Sequence, residues 1–217
     1  IVNGYDDGKS TKELRKFGDK ILGPSDFRKN LSNLIILDTK SGIIMSKIMN
    51  FRFPKKTSRA SFISFLKLNK NNDFIKNLEI YDLPYETFLK LKDFLSHFIY
   101  LYNKKKKLKI DDISLGNLLI FGSFLKNQKS FNEALEDIHN FLNIKKDKVL
   151  NVTNGKNLYL YAILENGKII ESEDELVNIK QKFPIEDIFL LSEKITPYKL
   201  SNLNKTDKKN KIKFFNK

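Results

Sequence analysis

The spacing of apolar residues changes once along the chain, and that change limits the folds open to it. Through the first two thirds, apolar positions recur at three and four, as in Phe88, Leu91, Leu95, Phe98 and Tyr102; after Lys148 they alternate. The first pattern belongs to helices that bury one face, the second to strands of a half-buried sheet. A loop and a short strand at the start, then helices, then a β-rich portion predict an α/β domain with a helical insertion. With 217 residues, 41% hydrophobic and 30% charged, the whole chain, 1–217, is expected to form one domain with a real core.

Turn and cap signals divide the chain further. The predicted helices cover residues 12–17, 27–37, 43–53, 86–102 and 113–125, and one running from the Ser130-Phe131-Asn132-Glu133 capping box to Leu142, while 61–68 and 69–73 are read as leading into a further helical segment. Strands are expected at 1–5, 149–153, 158–164 and 185–191, and Asn166-Gly167 predicts a hairpin that returns through residues 168–170. A helix is expected to follow Ser172, with Glu171, Glu173, Asp174 and Glu175 as charge suited to a helix N-terminus rather than as a metal site. Pro197 ends the regular pattern, and residues 205–217 read as a Lys-rich tail.

Composition excludes some chemistry and disfavours more. There is no cysteine, so disulfides, thiol catalysis and sulfur-bound zinc are out. The net charge of +14 comes almost wholly from Lys, since Arg15, Arg28, Arg52 and Arg59 are the only arginines. The lysines are spread along the chain beside Asn, Ile and Phe, a compositional bias rather than a designed patch, and nucleic acid is not the expected partner. No apolar run is long enough to span a membrane and no secretory signal order opens the chain, so a soluble, cytoplasmic protein is expected. His97 and His139 stand alone beside apolar stripes and read as packing or surface residues.

Two stretches carry the chemistry: Gly4-Tyr5-Asp6-Asp7-Gly8-Lys9-Ser10-Thr11-Lys12-Glu13-Leu14-Arg15 and Leu22-Gly23-Pro24-Ser25-Asp26-Phe27-Arg28-Lys29-Asn30-Leu31. Each sets carboxylates, small residues and hydroxyls at a turn that enters a helix, where phosphates and divalent metals are commonly held. Ser10 or Thr11 is expected to cap the first helix, and Ser25 or Asp26 the second. Gly116-Asn117 stands at the head of an apolar helix, where spacing alone favours a cap.

These two stretches resemble the paired signatures of the 2-phospho-L-lactate transferase (CofD-like) family, which also holds the gluconeogenesis factor proteins. Gly116-Asn117-Leu118-Leu119 through Ser130-Phe131-Asn132-Glu133-Ala134-Leu135, and the segment from Val149 through the Asn166-Gly167 hairpin to Glu171, agree in order and kind. The resemblance implies a Rossmann-like fold and a magnesium-dependent transferase that moves a phospholactyl or related group from a guanosine diphosphate carrier to a deazaflavin alcohol. It implies Asp7 and Asp26 as the catalytic carboxylates that hold Mg²⁺, with Asp6 orienting the loop beside Gly8. Ser10 and Thr11 would cradle phosphate, Arg28 would clamp it, and Asn117 would face the same cleft. The implied partner is a nucleotide-diphosphate-linked small molecule; a homodimer is left open. The alternative is a non-catalytic regulator of the gluconeogenesis factor type that binds a nucleotide sugar, and a third is a basic module using residues 104–107 and the tail. The family pattern also has a glycine-rich loop that would precede Ile1 and a glycine-proline-glycine-serine segment after the β-rich part. Neither stands in these residues, which leaves open a chain without them or a piece of a longer one.

Overall fold

The computed structural model describes residues 9–18, 21–105, 108–155, 158–170, 175 and 183–191. In order, these form α1 (Lys9–Gly18), α2 (Ser25–Ser32), α3 (Lys40–Asn50), α4 (Arg59–Leu66), α5 (Asp73–Asn77), a 3₁₀ turn (Ile80–Asp82), α6 (Tyr85–Lys105), α7 (Leu115–Lys126) and α8 (Phe131–Leu142). Three strands follow: β1 (Tyr159–Leu164), β2 (Ile169–Ile170) and β3 (Ile185–Leu191). The fold is thus mixed α/β, with the helices first and the sheet after them. Among the described residues no helix is long and apolar enough to cross a membrane.

The helices are arranged around α7. Its residues from Leu115 to Phe124 are all buried, as expected of a helix that is apolar all round. Helices α2, α3, α6 and α8 pack on it. The approach of α6 is so close that a Cβ placed on Gly122 would lie 2.1 Å from the Phe94 carbonyl oxygen. Around this axis Phe17, Phe98, Tyr102 and Phe121 pack together, and the Phe62–Tyr102 contact at 5.4 Å joins them to Phe51, Phe53, Phe62, Phe65 and Phe74. Most of these pairs are tilted or edge-to-face, the geometry that the ring quadrupole favours.

The sheet has strand order β2-β1-β3, with both pairs antiparallel. Its hairpin falls at Asn166-Gly167: Gly167 has φ +79°, and Asn166 Oδ1 accepts from Lys168 N–H at 3.0 Å. Tyr161, Ile163 and Leu191 form a small core of their own.

Several boundaries differ from those expected, each for a local reason. The helix expected over 27–37 ends at Ser32. There Leu34 N–H bonds Leu31 O and Ile35 N–H bonds Ser32 O, a tightened last turn. The following run Leu34-Ile35-Ile36-Leu37 has no helical period, and only Ile35 is buried. Residues 149–153 are not a strand, because side chains take the backbone's partners: Thr153 N–H bonds Asn151 Oδ1 at 3.3 Å, and Gly155 N–H bonds Thr153 Oγ1 at 3.2 Å. Ser130 is the N-cap of α8 but its side chain caps nothing; Asn132 binds outward, accepting from Asn151 Nδ2 at 3.0 Å. The strand expected at 1–5, the tail at 205–217 and all but Glu175 of the acidic helix start lie outside the described residues.

Helices α7 and α8 are tied at their surface by Lys126 Nζ to Asp137 Oδ2 at 2.9 Å, with Asn127 Nδ2 donating to the same oxygen at 2.9 Å. Partial burial pushes the Asp137 carboxyl up, but the hydrogen bonds from Asn127 and Lys126 outweigh it and hold it below the usual carboxylate range. A depressed folded pKa means stability that is present above the unfolded value of about 3.9 and lost as pH falls through the folded one. Asp137→Asn is therefore expected to flatten the loss of thermal stability below about pH 4, measured by circular dichroism across a pH series. Gly122→Ala is expected to destabilise by about 1–3 kcal/mol through overpacking against Phe94, read from urea unfolding.

Candidate functional site

Three helices bring their first turns to one point. Thr11 is in the first turn of α1, Ser25 is the first residue of α2, and Asn117 lies in the first turn of α7. The Ser25 hydroxyl joins them: its Oγ is 2.5 Å from Thr11 Oγ1 and accepts from Asn117 Nδ2 at 3.0 Å. All three side chains are buried.

These hydroxyls and this amide therefore do not act as the caps that their positions suggested. α1 starts at Lys9, so Ser10 and Thr11 lie inside it, and Thr11 faces Ser25. The N-cap of α2 is Pro24, whose side chain has no acceptor, and Ser114 at the N-cap of α7 makes no capping bond. Of the first-turn amides of α7, Leu115 N–H is taken by Phe51 O at 2.9 Å and Leu118 N–H by Ser114 O at 3.1 Å; those of Gly116 and Asn117 find no acceptor among the described residues. Three positive helix ends thus meet, and those of α2 and α7 carry no side-chain cap, an arrangement that favours an anion.

Arg28 adds a full charge to this place. It is 6% exposed, and its stem runs over Gly116, where an added Cβ would lie 2.9 Å from Arg28 Cγ and Cδ and 2.6 Å from Met49 O. Only a glycine leaves that crossing open. Arg28 Nη1 donates to Met49 O at 3.3 Å and to Asn50 Oδ1 at 3.1 Å. Asn50 is in turn held by its own amide, which donates to Ser32 Oγ at 2.6 Å and Ser46 O at 3.1 Å. Arg28 Nε has no partner, and no carboxylate forms an ion pair with this guanidinium among the described residues. Burial lowers its pKa first and the Arg52 charge lowers it further, against a smaller opposing effect of Asp26. A buried guanidinium without a counter-charge is costly unless an anion completes it.

Asp26 lies in the first turn of α2 with its carboxylate partly exposed, 3.1 Å from Lys29 Nζ. Exposed pairs of this kind are worth about 0–1 kcal/mol, so a stronger ligand can take the carboxylate from the lysine. Asn117 Oδ1 is buried and unpartnered. The oxygens of Asp26, Asn117, Ser25 and Thr11 are the hard donors that Mg²⁺ accepts. That ion usually takes one or two carboxylates and leaves its other positions to phosphate and water. Among the described residues no group of three or more His, Cys, Asp or Glu is gathered. The donor set is thus compatible with Mg²⁺. Asp6, Asp7 and Gly8 lie outside the described residues, as does the side chain of Ser10.

Of the residues expected at the site, the structure therefore joins Thr11 and Asn117 through Ser25 and sets Arg28 against the residue next to Asn117. Ser25, read from the sequence only as a cap, is the hydroxyl that links them, and Asn50 was not foreseen. A short polar residue between Pro24 and Asp26 is the only signal in the sequence for the first; for Asn50 there is none. His97 and His139 stay apart from this cluster, each bonding the carbonyl four residues before it, Asp93 and Leu135.

The structure is similar to two crystal structures from Bacillus halodurans. One is described as a protein member of the UPF0052 family, at 22% identity and a TM-score of 0.54, covering 91% of this chain and 42% of that one. The other, of protein BH3568, gives 22% identity and a TM-score of 0.54 over 88% of this chain and 42% of that one. The chain thus spans less than half the length of the solved proteins it matches. No curated protein sequence matches. The family model described as 2-phospho-L-lactate transferase CofD matches residues 1–207. The match covers both polar stretches, the convergent helix ends and the sheet, and the chain belongs to the 2-phospho-L-lactate transferase CofD family.

Proposed function

We propose that this chain binds the diphosphate part of a nucleotide-linked small molecule at the convergent helix ends, as part of a magnesium-dependent transferase site of the 2-phospho-L-lactate transferase type. The observation that carries this reading is the meeting of three helix N-termini, two of them without a side-chain cap, with a buried Arg28 that lacks a carboxylate partner among the described residues. Each favours negative charge, and together they favour a ligand with more than one anionic oxygen.

In this reading Arg28 Nε–H donates to a phosphate oxygen while Nη1 stays anchored on Met49 O and Asn50 Oδ1, so the fork is oriented before the ligand arrives. The amides of Gly116 and Asn117 donate to the same anion. Ser25 keeps the Asn117 side chain turned, which leaves Oδ1 free to accept from a ligand hydroxyl or a coordinated water. Asp26 and Asp7 would hold Mg²⁺, which supplies charge neutralisation on the phosphates as their bond to the transferred group breaks. Because these groups are fixed by packing, they stabilise developing charge without reorganising.

Asp26→Asn and Asp7→Asn are each expected to abolish the magnesium dependence of nucleoside diphosphate binding in titration calorimetry. Binding that keeps its magnesium dependence in both variants would refute the metal assignment. Asn117→Ala removes one neutral hydrogen bond together with a buried unpaired acceptor, two opposing effects of about 1 kcal/mol each. Its unfolding midpoint is expected to stay near that of the parent while nucleoside diphosphate affinity falls about tenfold. A large fall in stability would make Asn117 a packing residue. Turnover of the bound diphosphate compound separates the transferase reading from that of a regulator that holds the same ligand.

A further inference from the structure

The segment after α3 lies beside the start of α7. Phe53 N–H bonds Ile113 O at 3.0 Å, Leu115 N–H bonds Phe51 O at 2.9 Å, and between them Arg52 and Ser114 form an isolated antiparallel bridge. Residues paired this way project to the same side. Phe51 and Phe53 turn into the aromatic core, so Arg52 projects away from it, on the side of Ser114. Ser114 Oγ is buried with no partner. The Arg52 side chain is 40% exposed, with Nη1 2.9 Å from Asp112 O and 3.5 Å from Asp112 Oδ2. Its guanidinium is close enough to disfavour the charge on Arg28.

Two guanidiniums that repel each other thus sit at one helix start, beside a hydroxyl that caps nothing. Asp112 holds Arg52, but the repulsion from Arg28 and the unpartnered Ser114 hydroxyl add nothing to stability. We propose that Arg52 and Ser114 form a second anion subsite next to Arg28, one that takes a further phosphoryl group of a diphosphate ligand. The proposal rests on the diphosphate reading above and adds which residues distinguish a diphosphate from a single phosphate. Arg52 would keep its bond to the Asp112 carbonyl and turn its remaining donors to the ligand, with Ser114 donating its hydroxyl. No covalent step is involved.

The test compares inorganic phosphate, inorganic pyrophosphate and a nucleoside diphosphate by calorimetry on the full chain with magnesium present. The parent is expected to bind pyrophosphate more tightly than phosphate. Arg52→Gln is expected to weaken pyrophosphate roughly tenfold to a hundredfold, the range for a charge-assisted contact, and to leave phosphate unchanged. Ser114→Ala is expected to weaken pyrophosphate several-fold with an unaltered unfolding midpoint, because its hydroxyl supports no other group. Asp112→Asn controls for the loop that Arg52 holds and is expected to keep parental affinity. The proposal is overturned if the parent does not prefer pyrophosphate, if Arg52→Gln binds it as the parent does, or if Asp112→Asn loses as much. Pyrophosphate binding that needs Arg52, without binding of any nucleoside diphosphate, would sustain the subsite and sink the nucleotide reading. Nucleoside diphosphate binding indifferent to Arg52 would do the reverse.

Discussion

The Ser25 hydroxyl holds together the place on which the candidate site depends. It touches Thr11 of α1 and Asn117 of α7 while beginning α2, so one small side chain sets three helix starts against each other. Such a junction is electrostatically unfavourable by itself, because each helix end carries about half a positive charge. It persists because the helices are committed elsewhere: α7 is buried along its length, Leu14 and Phe17 of α1 are in the core, and Phe27 of α2 packs on Phe131 of α8. Apolar burial fixes the frame, and the polar groups take the positions that it leaves.

Arg28 shows the same division of labour. Its stem belongs to the packing, lying across Gly116, and its head is held by Met49 O and Asn50. A lysine could keep the charge but not this two-point anchoring, since an ammonium lacks the planar fork. The cost of burying the guanidinium, visible in its lowered pKa, is the kind of local conflict that proteins retain where a ligand resolves it.

Much of the fold was legible beforehand, and the failures are instructive. The long amphipathic helix α6, the apolar α7 and the hairpin at Asn166-Gly167 follow from period and turn chemistry that no tertiary contact overrode. The end of α2 and the segment at 149–153 were misread because consecutive apolar or β-prone residues were taken for regular structure. What decided them was a tightened helix end in one case and side chains of Asn151 and Thr153 competing for the backbone in the other. The capping assignments failed for a different reason. Thr11 and Ser25 are the right residue types at nearly the right places, yet a hydroxyl that meets a partner from another helix stops serving its own.

By itself the sequence determined the order of helices and strands, the absence of sulfur chemistry, and the residue types of two polar stretches entering helices. Those are local properties, set by period and composition. Only the tertiary structure decided that Ser25 joins Asn117, that Gly116 lets Arg28 cross, and that Arg52 stands beside Ser114. These pairs are between 62 and 92 residues apart in the chain. Contacts at such separations arise from how buried faces stack, which no local spacing encodes.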